Sequence, residues 1–176
     1  GQQLKESIKA SEGRIIVSEN IVTQENLDSI TTAEIAAAFG ADMILCNRLD
    51  VNDPKIFGLY PGERHLAAAP KHDGKASIDR LKKLVGRPVG INLEPIGDHP
   101  NMMEQQIAIL PGCTASEAVI KKAEAMGFQF MVLTGNPGTG VTNEAIIHSI
   151  TVAKQYFSGL IIAGKMHASG VDERIM

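Results

Sequence analysis

Five apolar runs in this chain each end in side chains that can bind, donate or accept a proton. Ser18, Glu19 and Asn20 close the first, and Asn47, Arg48 and Asp50 the second. Asn92 and Glu94 close the third, Thr134 and Asn136 the fourth, Lys165 and His167 the fifth. Glu19 and Glu94 are suited to act as a general base or as oxygen ligands for a hard cation such as Mg2+, with Asp50 as a further ligand beside Glu94. The alternative use of either glutamate is a salt bridge to Arg48 or Lys165 within the same set. Arg48 is a planar fork that matches phosphate or carboxylate. Lys165 follows the small residues Ala163 and Gly164; it can pair with an anionic substrate, the commoner task, or form a Schiff base if its pKa is depressed. His167 is the histidine best placed for proton transfer. His65, His72 and His99 fall in long loops and are expected to face solvent, while His148 sits mid-helix with a structural role.

One stretch comes within a residue of a nucleotide-binding loop: "VLTGNPGTGVTNEAI", residues 132–146. A P-loop needs G-x-x-x-x-G-K-[ST], in which backbone amides cradle phosphates, lysine neutralises them and the hydroxyl holds magnesium. Gly135 and Gly140 have that spacing and Thr142 has the hydroxyl position, but Val141 stands where lysine is required. No second acidic strand offers itself for the metal, so NTPase chemistry is set aside. A loop that includes Gly135, Asn136, Gly138 and Gly140, ahead of the positive end of a helix, can still hold a phosphate or carboxylate. A tight turn at Pro137, with the glycines serving backbone shape alone, is the competing account.

The elements that must position these groups alternate in type. After a short amphipathic start (Leu4, Ile8), strands are expected over 14–20, 42–50, 88–95, 128–135 and 159–167. Helices are expected over 31–40, 77–86, 114–127 and 142–157, and a further one from Ser169. Thr31 with Glu34, and Thr114 with Glu117, read as capping boxes; Gly40 and Gly127 read as helix stops. Near-continuous Val, Ile, Leu and Met runs imply strands buried on both faces of a parallel sheet, with helices outside it. A doubly wound sheet and a TIM-barrel-like (β/α)8 arrangement both satisfy that pattern. Long strand-to-helix loops, short helix-to-strand turns and polar strand ends favour the barrel, whose functional groups sit on the strand-to-helix side. In a parallel sheet all the polar strand ends share one rim.

Five strands are fewer than a barrel contains. The chain therefore reads as part of a longer protein, as one that closes its edges by homo-oligomerising, or as an open sheet; the first is the expectation, with residues 1–176 a single α/β domain. The composition is that of an ordinary globular domain: 44% hydrophobic, 21% charged, formal charge −3. That charge offers no general attraction for nucleic acid or an anionic membrane, and 4% aromatic content without Trp does not suit base stacking. No apolar run approaches the roughly 20 residues of a membrane span, and no signal peptide is expected. Cys46 and Cys113, far apart and in no metal-like spacing, read as two reduced thiols of a cytoplasmic protein.

Taken together, "SENI", "CNRLDVNDP", "GINLEP", "LTGNPGTGVTNEAI" and "IIAGKMHASGVDE" resemble a poorly characterised bacterial family of (β/α)8-barrel proteins, of which this chain looks like the N-terminal portion. Its members are labelled either haloacid dehalogenase-like hydrolases or relatives of phosphoenolpyruvate phosphonomutase. The first label requires a D-x-D-x-[TV] nucleophile, and Asp50-Val51-Asn52-Asp53 lacks the second Asp at the required place. The second label implies a carboxylate-bound Mg2+ on the barrel rim and enolate-like intermediates. The clustered acidic metal motif of those relatives is not recognisable here, so none of their catalytic residues is carried over.

Three functions compete on these grounds. The leading one is a barrel lyase, isomerase or mutase acting on a small phosphorylated or carboxylated metabolite. The second is a non-catalytic metabolite-binding regulator, and the third a phosphate-ester or dehalogenase-like hydrolase, disfavoured by the missing nucleophile motif.

Overall fold

The computed structural model describes residues 1–27, 29–62, 66–96, 109–136 and 141–165. Five strands form one sheet: β1 (Val17–Ile21), β2 (Met43–Asn47), β3 (Val89–Leu93), β4 (Phe130–Gly135) and β5 (Leu160–Lys165). Every neighbouring pair is parallel and the spatial order is β1-β2-β3-β4-β5, the order of the chain. That order separates the two architectures that the sequence left open. A doubly wound sheet reverses direction at a switch point, which puts helices on both faces. Here the order never reverses, and right-handed crossovers in one direction place every connecting helix on one side. The result is an arc of a TIM-barrel-like fold.

The helices are α1 (Gln2–Ala10), α2 (Thr32–Ala38), α3 (Gly74–Val85), α4 (Glu117–Met126) and α5 (Asn143–Tyr156), with 3-10 turns at Leu66–Ala68 and Pro111–Cys113. Helix α2 starts at the expected capping box: Thr31 Oγ1 accepts from the Glu34 N–H at 3.1 Å and Glu34 Oε2 accepts from the Thr31 N–H at 3.0 Å. Thr142 caps α5, accepting from the Ala145 N–H at 3.1 Å, which occupies the hydroxyl that a P-loop would spend on magnesium. The cap of α4 differs from the expected one. Ser116, not Thr114, precedes the helix and accepts from Val119 N–H, because Thr114 is held in an extended β-bridge with Glu94. Helix α3 likewise begins before Ser77, at Asp73, whose carboxylate accepts from the Ala76 N–H at 2.8 Å. Among the described residues no helix is long and apolar enough to cross a membrane.

Alternation along the strands sorts side chains to two faces. Ile44 and Cys46, Val89, Ile91 and Leu93, and Met131 and Leu133 pack outward against helix residues such as Ile78, Leu81, Ile120 and Ala123. Met43, Leu45 and Phe130 are buried on the inner, concave face against Leu4 and Ile8 of α1 and Val132, Leu160 and Ile162. Helix α1 thus plugs the bottom of the arc. On the edge strand β1, Val17 and Ile21 remain 42% and 39% exposed. The helix-to-strand turns, 39–42, 86–88, 127–129 and 157–159, are short, while the strand-to-helix side carries the long segments 48–73 and 94–116.

Candidate functional site

Above the apolar floor, the concave face becomes polar. Asn47 is two residues past Leu45, Asn92 two past Gly90, and Thr134 two past Val132, so each continues the inner row of its strand. Their side chains link. Thr134 Oγ1 donates to Asn92 Oδ1 at 2.6 Å, Asn92 Nδ2 donates to Asn47 Oδ1 at 3.2 Å, and Asn47 Nδ2 donates to Glu19 Oε1. Four strands are joined by one chain of hydrogen bonds that points toward a carboxylate.

The direction has a physical cause. The backbone N–H of Arg48 lies 2.8 Å from Asn47 Oδ1 and can only donate. It fixes the oxygen of that carboxamide on its own side and turns Nδ2 toward Glu19. Asn92 must then offer its own Nδ2 to Asn47 Oδ1, which leaves its oxygen to Thr134. Arg48 itself has φ +58°, a left-handed conformation that costs an arginine roughly 1–2 kcal/mol, and such outliers concentrate at functional sites. Among the described residues Asn47, and not Arg48, is the observed partner of Glu19.

Beside this chain lies a cavity of about 250 Å3 whose lining includes Asn47, Arg48, Asn92, Glu94, Cys113 and Asn136. Five of those six were expected on the rim; Cys113 was not. It arrives on a returning segment, in which the Glu94 N–H donates to Cys113 O at 2.9 Å and the Ala115 N–H to Glu94 O at 2.7 Å. Ile109 and Leu110 of the same segment complete the wall. Gly112 anchors it: a Cβ there would stand 1.6 Å from Asp50 Oδ1, so the Asp50 carboxylate rests on the bare Cα. The Val51 N–H also donates to Gly112 O at 3.2 Å. No local pattern in the sequence announces this segment, since its place depends on partners some sixty residues upstream at Asp50 and Val51.

Burial, reinforced by the negative charge of Asp50 and opposed by Arg48, pushes the Cys113 thiol up to about 11, and burial alone pushes Cys46 up to about 12. Both are therefore neutral thiols at physiological pH and poor nucleophiles. A raised pKa on folding stabilises the native state below the ordinary thiol value of 9.0, and that contribution is lost as the pH rises through about 11 and 12. Ellman's reagent at pH 8 is expected to label both cysteines quickly in denaturant and neither quickly in the folded chain. Rapid labelling of native Cys113 would show that the returning segment does not cover it.

The other expected site residues are placed unevenly. Asp50 lies near enough to Cys113 to act on its charge, as does Glu94, and its Oδ1 accepts from the Asn52 N–H at 2.8 Å. Gly135 ends β4 opposite Lys165, the last residue of β5, which sets the Lys165 backbone on the same rim. His167, Gly138 and Gly140 lie outside the described residues, as do the segment after Ser169 and two loop histidines, His65 and His99. His72 is not simply solvent-facing: its ring stacks on Tyr60 at 3.7 Å. His148 is exposed on α5. Among the described residues no group of three or more His, Cys, Asp or Glu side chains is arranged to hold a metal ion.

An α/β arc of the TIM-barrel-like kind, with its polar groups gathered where the strands end, is the class that fold and site define. Within that class, the chain belongs to the family described as Domain of unknown function (DUF7916), whose model matches residues 1–176. No curated protein matches the sequence. Among solved structures, a candidate phosphonomutase from Burkholderia cenocepacia J2315 is similar over 99% of this chain and 66% of its own, at 18% identity and a TM-score of 0.50. A 2,3-dimethylmalate lyase of the PEP mutase/isocitrate lyase superfamily is 11% identical, matching 93% of this chain and 52% of its own at a TM-score of 0.49. A GH27 β-L-arabinopyranosidase from Geobacillus stearothermophilus, also 11% identical, matches 89% and 49% at 0.47. The first likeness shows the shared fold and the other two are too loose to argue from. The chain spans about two thirds of the first protein's length and about half of the others'. The haloacid dehalogenase-like label finds no support among them.

Proposed function

We propose that the rim is the active site of a barrel enzyme of the lyase, isomerase or mutase type, acting on a small phosphorylated or carboxylated metabolite. The observation that carries this reading is the oriented chain from Thr134 through Asn92 and Asn47 to Glu19. Four strands contribute one side chain each to a single network, buried or half-buried from Thr134 to Asn47 and open to solvent at Glu19, and linked chains of this kind hold their members in one arrangement. That is the preorganisation that positioning of a substrate requires. The candidate phosphonomutase among the similar folds is in keeping with this class. Further strands of a barrel, and groups that they bring to the rim, are part of the proposal, as is a place in the cytoplasm.

The roles follow from chemistry. Glu19, which receives only donors from the chain, is the general base. Arg48 is the fork for the substrate's anionic group, with Asn47 and Asn92 as neutral donors beside it. Lys165 and His167 are assigned to anion pairing and proton return, and the loop from Gly135 and Asn136 through Gly138 and Gly140 to a second anionic group. Glu94 and Asp50 fit a hard cation only in part: both are oxygen donors near one cavity, but the described residues form no protein cage. They would hold Mg2+ together with substrate oxygens and water, as this ion commonly binds. Bound there, Mg2+ would neutralise charge on the substrate.

The test is a panel of small phosphorylated, phosphono and carboxylated acids incubated with the chain and Mg2+, with products followed by mass spectrometry. Glu19→Gln is expected to abolish turnover, and Arg48→Ala to raise KM by about 100-fold, each with little change in melting temperature. Parent-level turnover in both variants would sink the proposal. A second reading, a metabolite-binding regulator, is favoured by the carboxamides that stand at Asn47 and Asn92, where a metal-dependent enzyme would use acids. It predicts saturable binding with no product.

A further inference from the structure

The outer wall of the arc carries another concave surface. A cleft of about 450 Å3 lies where the segment after β2 meets the starts of α3 and the body of α4. Its floor is apolar, with Val51, Pro54 and Met126, whereas Lys71, Lys75 and Lys122 stand around it. Those three charges are not equally cancelled. Lys75 is bound to Asp79 at 2.6 Å. Lys122 donates to Asn52 Oδ1, a neutral oxygen. Lys71 is exposed and, among the described residues, forms no ion pair. The one acid lining the cleft, Asp73, is engaged in capping α3.

Three ammonium groups, Lys71, Lys75 and Lys122, thus line one hollow against the carboxylates of Asp73 and Asp79, a local excess of positive charge on a chain whose overall charge is −3. The general charge of the protein does not account for that concentration, and like charges brought together oppose folding unless something offsets them. The His72 ring, held in its stack on Tyr60 at 3.7 Å and 21°, lines the same hollow. We propose that this cleft is an anion-binding site separate from the rim, taking a small organic phosphate whose phosphate meets Lys71 and Lys122 and whose apolar part rests on Val51 and Met126. The proposal does not depend on the rim being catalytic.

The cleft is also tied mechanically to the rim. Asn52, the partner of Lys122, donates its own N–H to Asp50 Oδ1 at 2.8 Å, and Asp50 supports Gly112 beneath the cavity wall. An anion that draws Lys122 off Asn52 acts on the loop that carries Asp50.

Calorimetric titration with inorganic phosphate and with phenyl phosphate tests this. Phenyl phosphate is expected to bind more tightly than inorganic phosphate, and both more weakly as salt is raised. Lys71→Gln combined with Lys122→Gln should weaken phenyl phosphate by about tenfold or more, as loss of charged hydrogen bonds does. Both lysines are exposed, so the variant is expected to fold, and its melting curve checks that. Absence of saturable binding, or equal affinity in the double variant, would each overturn the assignment.

Discussion

A Gly90→Val variant is expected to melt about 6–12 °C below the parent chain, the shift that about 3 kcal/mol of overpacking produces in a domain of this size. The cause is a single close approach. A Cβ at Gly90 would stand 2.4 Å from Phe130 Cδ2 and Cε2, and Phe130 is its registered neighbour on β4. The ring is fully buried and packs with Met43 and Leu45 on the concave face, so it has no open side to turn toward. Gly90→Ala meets the same ring with less bulk and is expected to cost about 1–2 kcal/mol. Scanning calorimetry distinguishes the cases. An unchanged melting temperature in Gly90→Val would mean that Phe130 does not fill the floor beneath the polar rim.

Asn92→Leu carries the largest expected effect on the site itself. Asn92 is 6% exposed, and its replacement removes two links of the chain at once, leaving Thr134 Oγ1 without its acceptor and Asn47 Oδ1 with the Arg48 N–H alone. The stability loss is expected at about 1 kcal/mol, because only the half-buried Thr134 hydroxyl loses its partner outright. The functional loss is expected to be larger, about 100-fold in turnover or affinity for whichever acid the panel identifies, because small displacements of positioning groups have effects of that order. A readout independent of any ligand is the side-chain amide signal of Asn47 in an NMR spectrum, which should shift as Asn92 ceases to donate to it. An Asn92→Leu protein with normal ligand binding and an unmoved Asn47 signal would remove the network from the mechanism.

Much of this was legible in the residues. Period-two alternation was too weak to sort the faces, because strands buried on both sides read as continuous apolar runs; yet the runs themselves located all five strands. Polar strand ends located the rim, since a parallel sheet puts every such end on one side. What stayed hidden depended on contacts distant in sequence. Thr114 with Glu117 makes a plausible cap until Glu94 is seen to claim Thr114 for a β-bridge. The start of α3 was obscured by Gly74, a poor helix former, whose bare Cα lets Met126 approach. Ser77, read as the start of that helix, is instead buried and paired with the Tyr60 hydroxyl at 3.0 Å. Cys113 looked like an idle thiol because nothing nearby in the chain tells of its position beside Glu94. The choice between barrel and doubly wound sheet was settled by strand order, which no local pattern encodes.

The main-chain donor at Arg48 has an evolutionary corollary. No side-chain exchange other than proline can remove that N–H, so the handedness of the carboxamide at position 47 is imposed by a peptide bond. Aspartate has nearly the same shape as asparagine, but there it would turn an oxygen toward Glu19 and set two carboxylates against each other. Positions 19 and 47 are therefore epistatic: an aspartate at 47 is disfavoured while Glu19 stands opposite it, so a lineage drifting that way must neutralise position 19 first.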